Sequence, residues 1–213
     1  MFGRILFPAF FVVSLVAQVT APERKVQGNV IVSERDPKAR IELPKLAQYV
    51  GADRWVLYGI ADCELHAFVE ANSKRKVERL YWIQFEGYVA SRPDLNHRYD
   101  STRHTNIGGL DFYLDPWIAA KGEKTTPGSD LEHIQSLIPA KDYKMPAGMA
   151  VVRLVHLMND KRKELMFIYA ETLEPSRLKA AELDKAGKAH DRWPAIEKRL
   201  VKRAASAIQI EQL

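Results

Sequence analysis

Two stretches of the chain alternate in character around short polar turns, and that alternation restricts the fold more than any other feature. Residues 55–71 are rich in β-branched and aromatic side chains, Ser73, Lys74, Arg75 and Lys76 form a polar turn, and residues 78–89 resume the strand character. A turn centred on Lys74 and Arg75 sets Glu70 opposite Arg79, Phe68 opposite Tyr81, His66 opposite Ile83 and Glu64 opposite Phe85. On the other side Val69 faces Leu80, Ala67 faces Trp82, Leu65 faces Gln84 and Cys63 faces Glu86. Each face mixes apolar and polar residues, whereas a sheet with one wet face would separate them. Both faces are therefore expected to be partly covered, or one of them to line a cavity. A second hairpin is expected over residues 149–158 and 163–171, joined by Asn159, Asp160, Lys161 and Arg162. Its second arm is apolar on both faces from Leu165 to Ala170, which predicts a central strand.

Shorter signals fill in the remainder. Residues 22–41 are polar around Val30, Ile31 and Val32 and read as a linker or an edge segment. Pro44 at a first turn and Gly51 past an end predict a short helix over residues 44–50. Residues 110–114 predict a short strand ended by Pro116 and Trp117. Ser129 and Glu132 form a capping box ahead of a helical face of Leu131, Ile134, Leu137 and Ile138. Pro175 opens a helix to about Lys188, and Asp191 opens a longer one to about Gln209. In the last helix Trp193, Ile196, Leu200, Ala204 and Ile208 form one stripe, with Lys198, Arg199, Lys202 and Arg203 mostly away from it. Hairpins with helices between and after them predict an α+β domain over residues 42–213. The expected form is a curved antiparallel sheet with the long C-terminal helix packed on it.

The first 21 residues read as a signal peptide. Arg4 is their only charged side chain, residues 5–16 are apolar apart from Pro8 and Ser14, and Val19 and Ala21 supply small residues ahead of a cleavage point. The rival reading is an inner-membrane anchor through residues 5–19, short against the ~20 residues that a span requires. Export to a periplasmic or extracellular space suits a chain with one cysteine, Cys63, and no N-x-S/T sequon. A net charge of +5 implies weak attraction to anionic surfaces, and export excludes nucleic acid as the natural partner. Weak membrane-surface contact through the N-terminal segment or the basic face of the last helix follows from the same charge.

Familiar catalytic signatures are missing. The chain has no G-x-S-x-G, no phosphate loop, no G-x-G-x-x-G, no H-E-x-x-H and no C-x-x-C, so no cofactor and no metal is assigned. Glu64 and His66, two apart on a strand, share a face with Tyr81, where a carboxylate can hold an imidazole beside an aromatic wall. Cys63 and His66, three apart, point to opposite faces. Arg153 interrupts an apolar strand and suits an anionic group. The segment with His97, Asp100, Arg103 and His104 offers ligating and anion-binding groups, against the plainer reading of a solvated loop. The sequence thus predicts an exported small-ligand-binding module. A mostly apolar pocket between sheet and helix would be contacted by Glu64, His66, Tyr81 and Arg153, and would take a small apolar or anionic ligand. Two alternatives stand beside it: a hydrolase or isomerase using a His/carboxylate pair on the same scaffold, and a membrane-anchored envelope interaction protein.

Overall fold

The computed structural model describes residues 21–122 and 124–213, so the signal or anchor segment before Ala21 lies outside the described residues. In chain order the strands are β1 (Lys25–Gln27), β2 (Val30–Glu34), β3 (Lys38–Glu42), β4 (Gln48–Leu57), β5 (Ala61–Ala71) and β6 (Val77–Tyr88). They continue with β7 (His104–Ile107), β8 (Leu110–Ala120), β9 (Gly148–Met158), β10 (Lys163–Thr172) and β11 (Gln209–Gln212). Helices α1 (Asp130–Leu137), α2 (Ala180–Leu183) and α3 (Trp193–Ala207) accompany them. The architecture is α+β, with a four-stranded sheet ordered β1-β2-β3-β11 and a seven-stranded sheet ordered β4-β5-β6-β10-β9-β8-β7, both antiparallel.

The β5–β6 hairpin has the register that alternation requires, with Glu64 opposite Phe85, His66 opposite Ile83, Phe68 opposite Tyr81 and Glu70 opposite Arg79. The β9–β10 hairpin turns through Asn159 to Arg162, and β10 is the middle strand of seven. The mixed faces are explained by cover on both sides. One face packs Phe68, Ile83, Leu154 and Phe167 against Ile31 and Ile41 of the small sheet and Leu200 and Ala204 of α3. The other packs Leu65, Trp82, Val151 and Met166 against Ile134 and Ile138, in α1 and just past its end. Burial of each such large apolar side chain contributes about 1.5–3 kcal/mol. Ser129 caps α1 by accepting from the Glu132 amide at 3.4 Å, while the Glu132 carboxylate accepts from the Gly128 amide at 2.6 Å.

Three local expectations are corrected. Residues 44–50 form no helix: the chain turns at Pro44, whose carbonyl accepts from Ala47 at 2.8 Å, and β4 begins at Gln48 with a bulge between Tyr49 and Gly51. So short a helix is marginal, whereas Tyr49 gains cross-strand pairing with Phe68. Pro116 does not end its strand, because beyond Leu114 β8 has β9 alone beside it and an outer edge can do without an N–H. The helix expected over residues 175–188 is broken into short turns, with Arg177 at φ 58° and Gly187 folded back so tightly that a Cβ would lie 2.3 Å from the Glu182 carbonyl oxygen. The segment 22–41 supplies β1, β2 and most of β3, and the last residues close that sheet as β11. No helix among the described residues is long and apolar enough to cross a membrane.

The β7–β8 turn touches the small sheet at Gly108, where φ is 59° and an added Cβ would sit 2.1 Å from the Ile210 carbonyl oxygen. Gly108→Ala is therefore expected to lower unfolding stability by about 2–4 kcal/mol in chemical denaturation. Gly59→Ala also has positive φ but nothing within 4 Å, and should cost about 1 kcal/mol. Equal losses would contradict the close approach of the two sheets.

Candidate functional site

Glu64 lies on the face of β5 that looks toward the small sheet, and its side chain is 2% exposed. A carboxylate in that position needs donors from the protein itself. It has four. Oε2 accepts from the Glu23 amide at 2.9 Å and from the Arg24 guanidinium at 3.0 Å. Oε1 accepts from the Arg24 amide at 2.9 Å and lies 2.8 Å from His66 Nε2. The Arg24 guanidinium lies 4.0 Å above the Phe85 ring. Burial pushes the Glu64 carboxyl up, but hydrogen bonds from His66 and the Arg24 amide, with the Arg24 charge, outweigh it and hold it below 4.5. On the far side of the fully buried His66, Nδ1 lies 3.3 Å from the Tyr49 hydroxyl. With the His66 proton on Nε2, Tyr49 donates to Nδ1 and a relay runs Tyr49–His66–Glu64. Tyr49 is 40% exposed as a residue, and burial and then the Glu64 charge push its phenol up.

Beside this pair opens a cleft of about 330 Å³, bounded by Arg24 and Glu64, by the β2–β3 turn with Arg35 and Asp36, and by Arg54, Asp62 and Lys163. Arg54 grips Asp62 through two bonds of 2.9 and 2.6 Å and pairs with Glu23 at 2.6 Å. Arg35 also pairs with Glu23, and Lys163 pairs with Asp36. The Lys163 hydrogen bond is the chief reason the Asp36 carboxyl is held below its ordinary value. Arg35 and Lys163 are the most accessible cations of the group, at 62% and 39%. The cleft therefore holds cations at its rim, each paired with a carboxylate.

The structure separates the residues that the sequence proposed together. Glu64 and His66 are joined. Tyr81 shares their face but donates to Glu70 at 2.5 Å, away from the cleft. Arg153 is on the opposite face, donating to Asp115 at 2.7 Å with its guanidinium 5.1 Å from the Tyr99 ring. His97 is buried 3.1 Å from Glu164, and burial, then the Arg162 charge, hold it down to about 4. Arg103 pairs with Glu197 of α3 at 2.6 Å, His104 with Asp111 at 2.7 Å, and Asp100 is exposed. Those four residues serve separate places rather than one centre. Glu23, Arg24 and Tyr49 were not visible as site residues, because nothing local marks a polar linker arginine as the partner of a glutamate 40 positions away. Comparison with protein-family models, with curated proteins and with solved structures finds no match.

Glu64→Gln leaves Arg24 facing an uncharged amide in a buried setting, and is expected to cost about 3 kcal/mol at neutral pH by denaturant titration. A lowered carboxyl stabilises above its ordinary value and loses that contribution as pH falls. The gap between wild type and variant should therefore narrow below 4.5, and a gap independent of pH would contradict the assignment.

Proposed function

We propose that this protein is an exported small-ligand-binding module that takes a small anionic ligand in the charged cleft, with a curved seven-stranded sheet as its floor. The carrying observation is the pair of accessible cations, Arg35 and Lys163, at the mouth of a space of about 330 Å³. That size falls within the ~300–1,000 Å³ of small-molecule sites. Between sheet and C-terminal helix, where the sequence suggested an apolar pocket, Leu154, Phe167, Leu200 and Ala204 pack together. The reading therefore favours the anionic ligand over the apolar one. A ligand carboxylate or phosphate would take over the bonds that Glu23 and Asp36 make to Arg35 and Lys163. Residues 1–21 supply export. Weak contact with an anionic membrane surface falls to Lys198, Arg199 and Lys202, which are exposed, whereas Arg203 is tied to Glu171 at 2.5 Å.

A second reading, a hydrolase or isomerase, is favoured by the Tyr49–His66–Glu64 relay. It gives the phenol of a partly exposed tyrosine a buried imidazole and an orienting carboxylate.

Native mass spectrometry of the chain exported from a full-length gene tests the first reading. The expected species begins at Pro22 and retains a small anion. Arg35→Ala with Lys163→Ala should reduce retention at least about tenfold, one lost charge-assisted hydrogen bond being worth about 1.5–3 kcal/mol. A bare chain whose melting temperature is unmoved by phosphate and by small dicarboxylates would overturn it. An intact Met1 found only in detergent extract would replace export with the anchor. Turnover abolished by Tyr49→Phe and His66→Asn, with binding kept, would establish the second reading.

A further inference from the structure

The face of the large sheet turned away from the cleft carries a polar row that neither the cleft nor the relay uses. Strand registers line it up residue by residue: Trp55 of β4 faces Cys63 of β5, Cys63 faces Glu86 of β6, and Glu86 faces Glu164 of β10. α1 brings Asp130 to the same place. Ser129 and Glu132 make the cap of that helix, so the Asp130 carboxylate is not spent on it. The Cys63 sulfur and one carboxylate oxygen each of Glu86 and Asp130 lie within 4.8 Å of one another. Cys63 is fully buried, and Glu86 and Asp130 are half-buried, which leaves a way in from the α1 side.

Two observations mark a built site. First, Asp130 Oδ1 is buried without a partner, and so is the indole Nε1 of Trp55, the residue opposite Cys63. Folded proteins leave few such atoms, and each calls for an ion, a ligand or a water. Second, Glu86 is oriented from behind. Trp82 Nε1 can only donate, so it turns the Gln84 amide with Oε1 toward itself at 3.0 Å, and Gln84 Nε2 then donates to Glu86 Oε2 at 3.2 Å. Gln84 is itself fully buried. A buried donor behind a carboxylate is the outer-shell support that aims a metal ligand.

The protein's own cations are engaged elsewhere. Arg153 is held by Asp115 and the Tyr99 ring, and His133 of α1 by Asp53 at 2.7 Å. Arg162 spends its guanidinium on the carbonyls of Tyr88, Val89, Arg92 and Leu95. Glu164 accepts from the Tyr99 hydroxyl at 2.8 Å and lies 3.1 Å from His97 Nδ1. Among the described residues no Lys or Arg pairs with Glu86, Asp130 or Glu164.

We infer that Cys63, Glu86 and Asp130 bind one divalent cation of the zinc class, with Gln84 as a positioning residue. Zinc takes sulfur and oxygen ligands together, whereas magnesium and calcium take oxygen. Bonds of ~2.0–2.3 Å set the ligand atoms on one zinc ~3.5 Å apart, within reach of small side-chain rotations from the observed group. Cys63 releases its thiol proton to solvent as its sulfur bonds the ion, and both carboxylates bind as anions. The dication thereby turns repulsion among these groups into attraction, and relieves Glu164 across the strand pair. Three protein ligands leave a fourth position for water or a donor atom of a ligand.

Cobalt(II) and zinc(II) titrated into the reduced, chelator-treated full chain test this. Cobalt should bind once per chain with a thiolate-to-cobalt charge-transfer band in the near ultraviolet, which zinc bleaches. Cys63→Ser should abolish the band. Losing even an outer-shell partner costs about 10–100-fold in metal affinity, so Asp130→Asn, which removes a ligand, should weaken zinc at least about tenfold. The melting temperature of the wild type should rise with added zinc, and that of Asp130→Asn should rise less. Absence of the charge-transfer band overturns the site, as does an equal gain from zinc in wild type and Asp130→Asn. Cobalt uptake lost with His104→Ala, the partner of Asp111, would place the ion on the surface and overturn it too.

Discussion

The buried carboxylate of Glu64 organises this molecule. An ionised carboxylate that is 2% exposed would be strongly destabilising alone, and its four donors come from two directions. His66, two residues along β5, supplies one. The others come from Glu23 and Arg24, immediately before β1. Satisfying this one charge therefore ties the segment entering β1 to β5 of the large sheet. Elsewhere the two sheets meet through apolar burial and through the approach of Gly108 to Ile210.

The other features build on that tie. Once the small sheet is placed, its β2–β3 turn overhangs the ends of β4, β5 and β10, and Arg35 and Lys163 come to rim a cleft. A second polar network holds α3: Tyr81 and Arg79 engage Glu70, while Tyr169 and Arg203 engage Glu171. Tyr81 thus serves the packing of sheet and helix. The acids on the opposite face are the exception, because their neighbours leave negative charge uncompensated.

Legibility in the sequence tracked the distance between partners. The two hairpins, the register of the first and the central position of β10 could be read because alternation and a polar turn specify them locally. The cap of α1 could be read for the same reason. The small sheet could not, since β3 pairs with β11 from the far end of the chain. That Glu64 and His66 share a face followed from their spacing, but their Arg24 partner had no local signal. The face on which Arg153 emerges relative to Glu64 and His66 depends on the β6–β10 pairing, which no turn connects, so its separation from them has no local signal. The same long-range pairing hid the opposition of Glu86 and Glu164.

The most direct test of the Glu64 clamp is the exchange of the backbone amides of Glu23 and Arg24, read residue by residue by nuclear magnetic resonance. Both lie outside regular strands, so a loose segment would exchange at the rate of an exposed loop. Donation to a buried carboxylate predicts protection comparable to that of β10. Exchange at loop rates would show that Glu64 does not hold the small sheet in place.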